Sequence, residues 1–224
     1  RIVAALASHP AQRDLVQLLD QWDGVDRAEQ AAPLVYQALY REIVIGTFAD
    51  ELGEAATNDM LSTWYFWQQR FDALVATPNS VWFDDVRTTS KRETLDDVIR
   101  AAAPRARQLI AATQGDNPAN WRWGKAHTVR FVSPLRRNGW GQELVGGMTY
   151  ERSGSGETLN RGVYDFQKPF DINFFGSMQV VMDFGDPQKI EAALAGGVSE
   201  RHFQPHQNDQ AKLWAKGERQ PWWF

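Results

Sequence analysis

Gly115-Asp116-Asn117-Pro118 divides this chain into two stretches whose apolar residues recur at different intervals. Upstream the interval is that of a helix. Leu95, Val98, Ile99, Ala102, Ala106, Leu109 and Ile110 keep the three- and four-residue spacing of one buried stripe, and the Gly-Asp-Asn-Pro run stops it. Ser90 and Glu93 have the spacing of a capping box for that helix, and Pro104 inside it removes one backbone bond and is expected to kink it. Further back, Asn58 or Asp59 caps a helix whose buried face is Met60, Trp64, Trp67, Phe71 and Leu74, broken by Thr77-Pro78-Asn79-Ser80. Another is predicted from Pro33 through Val35, Leu39 and Ile43 to Gly46, and a first one carries Leu15, Leu18, Leu19 and Trp22 up to Asp23-Gly24.

Downstream the interval becomes two. Thr128 to Val132 alternates, and Met178, Val180, Met182 and Phe184 alternate with Ser177, Gln179, Val181 and Asp183, the pattern of half-buried strands. A strand is also predicted from Leu159 to Phe166, with glycine-rich connections at Gly139 to Gly147 and Gly154 to Gly156. Asp186-Pro187 reads as the start of a short helix through Leu194, and a last helix is expected near Pro205, carrying Ala211 and Trp214. The fold class is therefore α+β, a helical lobe followed by strands.

Composition narrows the function. The 224 residues include no cysteine, four histidines and ten tryptophans, and 43% are hydrophobic. Without cysteine there is no disulfide framework, thiolate zinc site or cysteine nucleophile. A formal charge of -4 gives no electrostatic footprint for nucleic acid or an anionic membrane. No run of apolar residues is long enough to cross a bilayer, and Ile2 to Ala7 is too short for a signal-peptide core. The chain begins at Arg1 without an initiator methionine, from which an earlier true start is expected.

Few local clusters suggest chemistry. His202, His206 and Asp209 have i, i+4, i+7 spacing, but Pro205 places His202 outside any helix starting at His206, so a helix start bonded to polar side chains is expected rather than a metal site. Ser153-Gly154-Ser155-Gly156 lacks both the dinucleotide-binding spacing and the P-loop lysine, and reads as a flexible turn. His127, at a strand entry, reads as a half-buried residue bonding a carbonyl rather than a base, and Asp183 with Asp186 as turn and cap residues rather than an acid/base pair. No GxSxG elbow occurs. The residues alone nominate no catalytic, cofactor-binding or metal-ligating side chain.

Several segments together resemble the penicillin acylase (penicillin amidase) family of N-terminal nucleophile (Ntn) hydrolases. Leu18-Leu19-Asp20-Gln21-Trp22-Asp23-Gly24 is similar to its Leu-Leu-x-x-Trp-Asp-Gly segment, and Trp121-Arg122-Trp123-Gly124-Lys125-Ala126-His127 to its Trp-x-Trp-Gly-x-x-His segment. Asn160 to Phe166, Gly176 to Asp183, Gly196 to Ser199 and Pro205 to Gln210 follow in the family's order. The chain departs by lacking the proline between Gly176 and Ser177, by Gln179 where an arginine is usual, and by Gln207-Asn208 for Tyr-Asp.

The resemblance implies the carboxyl-terminal part of the family's catalytic chain: residues 1–116 as the helical lobe and 117–224 as strands completing an αββα sandwich. It implies an amidohydrolase cleaving N-acyl substrates of the β-lactam or acyl-homoserine lactone type. The serine nucleophile, oxyanion-hole asparagine and structural calcium ligands would lie upstream, leaving no cofactor in this chain. Its partners would be the upstream remainder of the precursor, with the catalytic serine and the small chain, and its location periplasmic or secreted. Without that remainder, Met178 to Phe184 would expose an apolar edge. The competing expectation is a non-catalytic binding or structural module using Trp121, Trp123, Trp222 and Trp223.

Overall fold

The computed structural model describes residues 1–132 and 148–222, so the connection expected at Gly139 to Gly147 and Trp223 lie outside the described residues. The chain is α+β. It divides into two compact units, Arg1–Ala126 with Asp165–Phe170, and His127–Tyr164 with Asp171–Phe224.

The first unit is helical: α1 (Ile2–Leu6), α2 (Arg13–Asp20), α3 (Ala32–Ser62), α4 (Gln68–Val75), α5 (Leu95–Gln114) and α6 (Trp123–Ala126). In α2, Leu15 is fully buried and Leu18 and Leu19 are half-buried, as is Trp22 just past its end. Gly24 then turns the chain with φ +80°. The break expected at Gly46 lies elsewhere. α3 does not stop at Gly46, because α5 passes so close that a Cβ there would lie 2.9 Å from the Arg105 guanidinium; Gly46 makes room for a helix crossing. The break within α3 falls instead at Gly53, with φ +71°. Likewise the stripe from Met60 to Leu74 spans the end of α3, a 3₁₀ turn at Trp64–Phe66 and α4, with Met60, Trp64 and Phe71 buried but Trp67 exposed.

α5 follows its predicted stripe and ends at Gly115, where φ is +78°. It continues through Pro104. Its cap is one turn later than the Ser90–Glu93 spacing suggests: the Thr94 amide and hydroxyl both donate to the Asp97 carboxylate, at 3.0 and 2.7 Å. Glu93 is occupied elsewhere, accepting from the Thr88 hydroxyl at 2.9 Å while its amide donates to Asp84. The Thr94 hydroxyl is the main reason the Asp97 carboxyl titrates below its usual range. Asp97→Ala is therefore expected to cost about 1 kcal/mol, read as a lower urea midpoint of the helical circular-dichroism signal. Where α3 and α5 meet, buried Glu42 pairs with Arg105 at 3.2 Å and with Arg41. Arg41 also donates to the Phe166 carbonyl at 2.7 Å, which ties residues 165–170 to this unit.

The second unit holds β1 (Thr128–Arg130), β2 (Thr149–Glu151), β3 (Gly162–Val163), β4 (Phe174–Phe175), β5 (Met178–Asp183), β6 (Asp186–Leu194), α7 (Ala211–Lys216) and β7 (Gln220–Pro221). β1 pairs antiparallel with β2, β3 with β4, and β5, β6 and β7 form a sheet in that order. The helix expected from Asp186 to Leu194 is strand β6. Two residues, Phe184 and Gly185, connect it to β5, and the register from Met178↔Leu194 to Met182↔Ile190 supplies ladder bonds that a short local helix cannot match. Pro187 falls among the residues this register skips, where no amide is needed. The strand expected over Leu159 to Phe166 shrinks to Gly162–Val163, since Asn160 and Arg161 are committed to Arg152 and Phe166 bonds the Leu61 carbonyl. The last helix starts at Ala211, with Pro205 heading a separate 3₁₀ turn. Val129, Ala193, Trp214 and Ala215 form this unit's buried cluster, with Phe131, Ile172 and Phe175 packed against it.

Candidate functional site

The family-like segments are mostly structural joints. In the helical unit the Trp22-Asp23-Gly24 loop is closed by the Trp22 indole donating to the Val25 carbonyl at 2.9 Å and by an Asp23–Arg27 ion pair at 2.7 Å. The segment that follows receives the second motif: the Trp123 amide donates to the Gln30 carbonyl and the Gly124 amide to the Ala28 carbonyl, both at 2.8 Å. The Trp121 indole bonds the Gly115 carbonyl at 2.7 Å. Trp121 and Trp123 are 2% and 0% exposed, so neither can belong to a stacking surface, and the expectation of a ligand-binding face on them is corrected.

In the second unit the collinear segments converge on Trp214 of α7. Its indole donates to the Gly176 carbonyl at 2.9 Å, its carbonyl accepts from the Gln179 amide at 3.2 Å, and the guanidinium of Arg152 lies 3.6 Å from its ring centroid. Arg152 is 1% exposed. It donates to the Arg161 carbonyl at 3.2 Å and to the Asn160 side-chain oxygen, which also accepts from Gln179 at 3.0 Å. No ion pair holds Arg152 among the described residues, and its Nε is buried without an acceptor. Burial pulls its pKa down to about 10, so it stays a cation at neutral pH, held by carbonyl dipoles and a π face. Nothing in the composition or motif reading pointed to Arg152; the only hint was an arginine just before the Ser153-Gly154-Ser155-Gly156 run.

That run is not a flexible turn. Gly154 and Ser155 are buried, the Ser155 amide donates to the Thr158 hydroxyl at 2.9 Å, and Gly154 takes φ +89° against the Asn160 carbonyl. His127 is fully rather than half buried; its carbonyl accepts from the Arg152 amide at 3.0 Å, and its ring sits edge-on to Tyr164. A Cβ at Gly162 would come within 2.7 Å of that ring, so two motif segments meet there.

The nominated acids behave as turn residues. Asp183 accepts from the Gly185 amide at 2.9 Å and Asp186 from the Gln188 amide at 3.2 Å. His206 pairs with Asp209 at 2.8 Å, whereas His202 bonds Gln207 at 3.0 Å, so the three side chains do not converge. Among the described residues no group of three His, Asp or Glu could hold a metal ion.

One acidic group is perturbed away from this network. Glu51, chiefly through partial desolvation of its carboxyl and then its hydrogen bond with Asp50, has its pKa pushed up from 4.5 to about 7. The folded chain thus holds this proton more tightly than the unfolded chain. The contribution of Glu51 to stability is fully present below pH 4.5 and is lost as pH rises through about 7, and it is small because the side chain is largely exposed. Glu51→Gln is expected to flatten that slope in urea melts taken across this range.

A family model described as penicillin amidase matches residues 1–224. The chain belongs to the penicillin amidase family. Curated relatives carry the name acyl-homoserine lactone acylase QuiP. The one from Pseudomonas syringae pv. syringae is 27% identical over 223 residues, covering 93% of this chain and 26% of the relative. That from Pseudomonas aeruginosa is 26% identical over 233 residues, covering 94% and 27%, and that from Pseudomonas putida 24% over 213 residues, covering 92% and 25%. The chain thus spans about a quarter of the length of the relatives it matches.

Proposed function

We propose that this chain is the carboxyl-terminal portion of the catalytic chain of a penicillin-amidase-type hydrolase that cleaves the amide bond of N-acyl substrates, of the acyl-homoserine lactone or β-lactam type. The match of the family model along the whole chain carries this reading. In it, the nucleophile is a serine at the start of the catalytic chain, in the portion upstream of the matched region. Its hydroxyl attacks the amide carbonyl, its α-amino group acts through water as base, and an oxyanion hole receives the developing charge. The present residues supply scaffold: Trp121, Trp123 and the Arg152–Trp214 stack hold the segments that the other portion packs against. The sheet gives further support. β5 lies at the edge of the described three-stranded sheet, and Met178, Val181, Met182 and Phe184 are between 47% and 96% exposed, as a strand awaiting a neighbour would be. The family's αββα sandwich would be completed there. No helix among the described residues is long and apolar enough to cross a membrane, and a periplasmic or secreted location is part of the proposal.

The test is expression of the encoded polypeptide with its upstream portion, alongside this chain alone, assayed by mass spectrometry for release of fatty acid from dodecanoyl-homoserine lactone and of phenylacetate from benzylpenicillin. The longer polypeptide is expected to hydrolyse at least one, and the chain alone neither. Turnover by the chain alone, or an upstream sequence without a serine that processing exposes, would overturn the reading.

A further inference from the structure

Besides the β5 edge, the helical unit carries its own exposed apolar surface, on residues that its core does not use. Trp64 and Phe71 are buried against Tyr40 and Phe166, with the Trp64 and Phe166 rings stacked at 5.3 Å, so the core is already closed beneath. Outside it, Tyr65 is 49% exposed, Phe66 75%, Trp67 42%, Val81 65% and Trp82 40%. Beside these residues a cavity of about 720 Å³ opens between the second half of α3, α4 and the turn at Val81–Phe83, walled by Phe48, Leu52, Met60, Trp67 and Trp82. Its charged groups are of both signs: Asp59, and Arg70, whose guanidinium lies 5.2 Å from the centre of the Trp67 ring.

Each large apolar side chain left in water forgoes about 1.5–3 kcal/mol of burial, and contiguous patches of this kind mark interaction surfaces. A mixed-charge rim suits a protein surface better than a ligand with one charged head. The relatives provide the material: this chain corresponds to about a quarter of their length, so most of what they contain has no counterpart in it. We infer that the aromatic groove walled by Phe48, Leu52, Trp67 and Trp82, with exposed Phe66 and Val81 next in sequence to its two tryptophans, is the seat of the upstream portion of the same polypeptide, which inserts apolar side chains into the cavity. This rests on the reading of the chain as one portion of a penicillin-amidase-type precursor. It adds a docking surface on the helical unit, separate from the β5 edge.

The absence of cysteine makes the test direct. Phe66→Cys and Val81→Cys, both at exposed positions, each introduce one thiol without removing core packing. Alkylation by iodoacetamide is followed by peptide mass spectrometry in this chain alone and in the full encoded polypeptide, each relative to the same protein in urea. The thiols are expected to react at nearly the unfolded rate in the chain alone and about 100-fold more slowly in the full polypeptide. Equal rates in both would overturn the inference, and an active full polypeptide with unprotected thiols would do so while leaving the proposed function standing. Protection in the chain alone that vanishes on dilution would assign the groove to a second copy instead. Protection in a full polypeptide that lacks the serine would keep the docking surface and overturn the function.

Discussion

Arg152→Ala is expected to lower the stability of the sheet-bearing unit by about 3–5 kcal/mol. The side chain is 1% exposed, and its guanidinium sits 3.6 Å from the Trp214 ring centre while serving the Arg161 carbonyl and Asn160. Alanine leaves a cavity under Trp214 and deprives a carbonyl of its donor. Because no carboxylate among the described residues pairs with the cation, part of its charge is a cost rather than a gain, and that separates the variants. Arg152→Met keeps the volume, removes the charge and is expected to lose only about 1–2 kcal/mol. Arg152→Lys keeps the charge but not the planar fork that reaches two acceptors while stacking, and is expected to be less stable than the methionine variant. Urea unfolding followed by tryptophan fluorescence reads all three. An alanine variant within about 0.5 kcal/mol of the parent would show that the stack contributes nothing.

Gly154→Ala is expected to have a comparable effect from the opposite cause. At this residue φ is +89°, and a Cβ would lie 2.1 Å from the Asn160 carbonyl oxygen and 2.7 Å from the Thr158 hydroxyl. The first contact is with backbone, which cannot swing aside. Strain at the positive φ adds to the overlap, for a total of about 3–4 kcal/mol. Asn160 also holds Arg152, so displacing its carbonyl disturbs the stack as well. The Gly154→Ala and Arg152→Met effects should therefore sum to more than the double variant loses, since either one alone already releases Asn160. The measurement is the same urea titration. Strict additivity would mean that the turn and the stack are independent.

Much of the helical unit was legible in the sequence, for local reasons. The stripe from Leu95 to Ile110 and its stop at Gly115 depend on residues within one helix and a positive-φ position that glycine fills. The alternation from Met178 to Phe184 was equally local, and the strand is there. Asp186 to Leu194 was misread because Asp-Pro is a good helix start in isolation; it becomes a strand only once β5 lies beside it. Gly46 resembled a stop, yet the residue is small because α5 crosses there. For the site, the motif tryptophans were visible as a pattern, but whether they faced solvent was not. Trp121 and Trp123 turned out to be core, whereas Trp67, placed on a buried face by its spacing, is exposed.

Local periodicity and turn chemistry thus determined by themselves that helices precede strands and where α5 ends, while the resemblance of collinear segments pointed to the penicillin amidase family. Only the tertiary structure decided that Asp186–Leu194 pairs as a strand, that the Ser153–Gly156 turn is buried, and that a lone arginine stacks on Trp214. Each of these depends on a partner distant in sequence or on another segment filling the space beside it, and such contacts leave no period in the chain that could announce them.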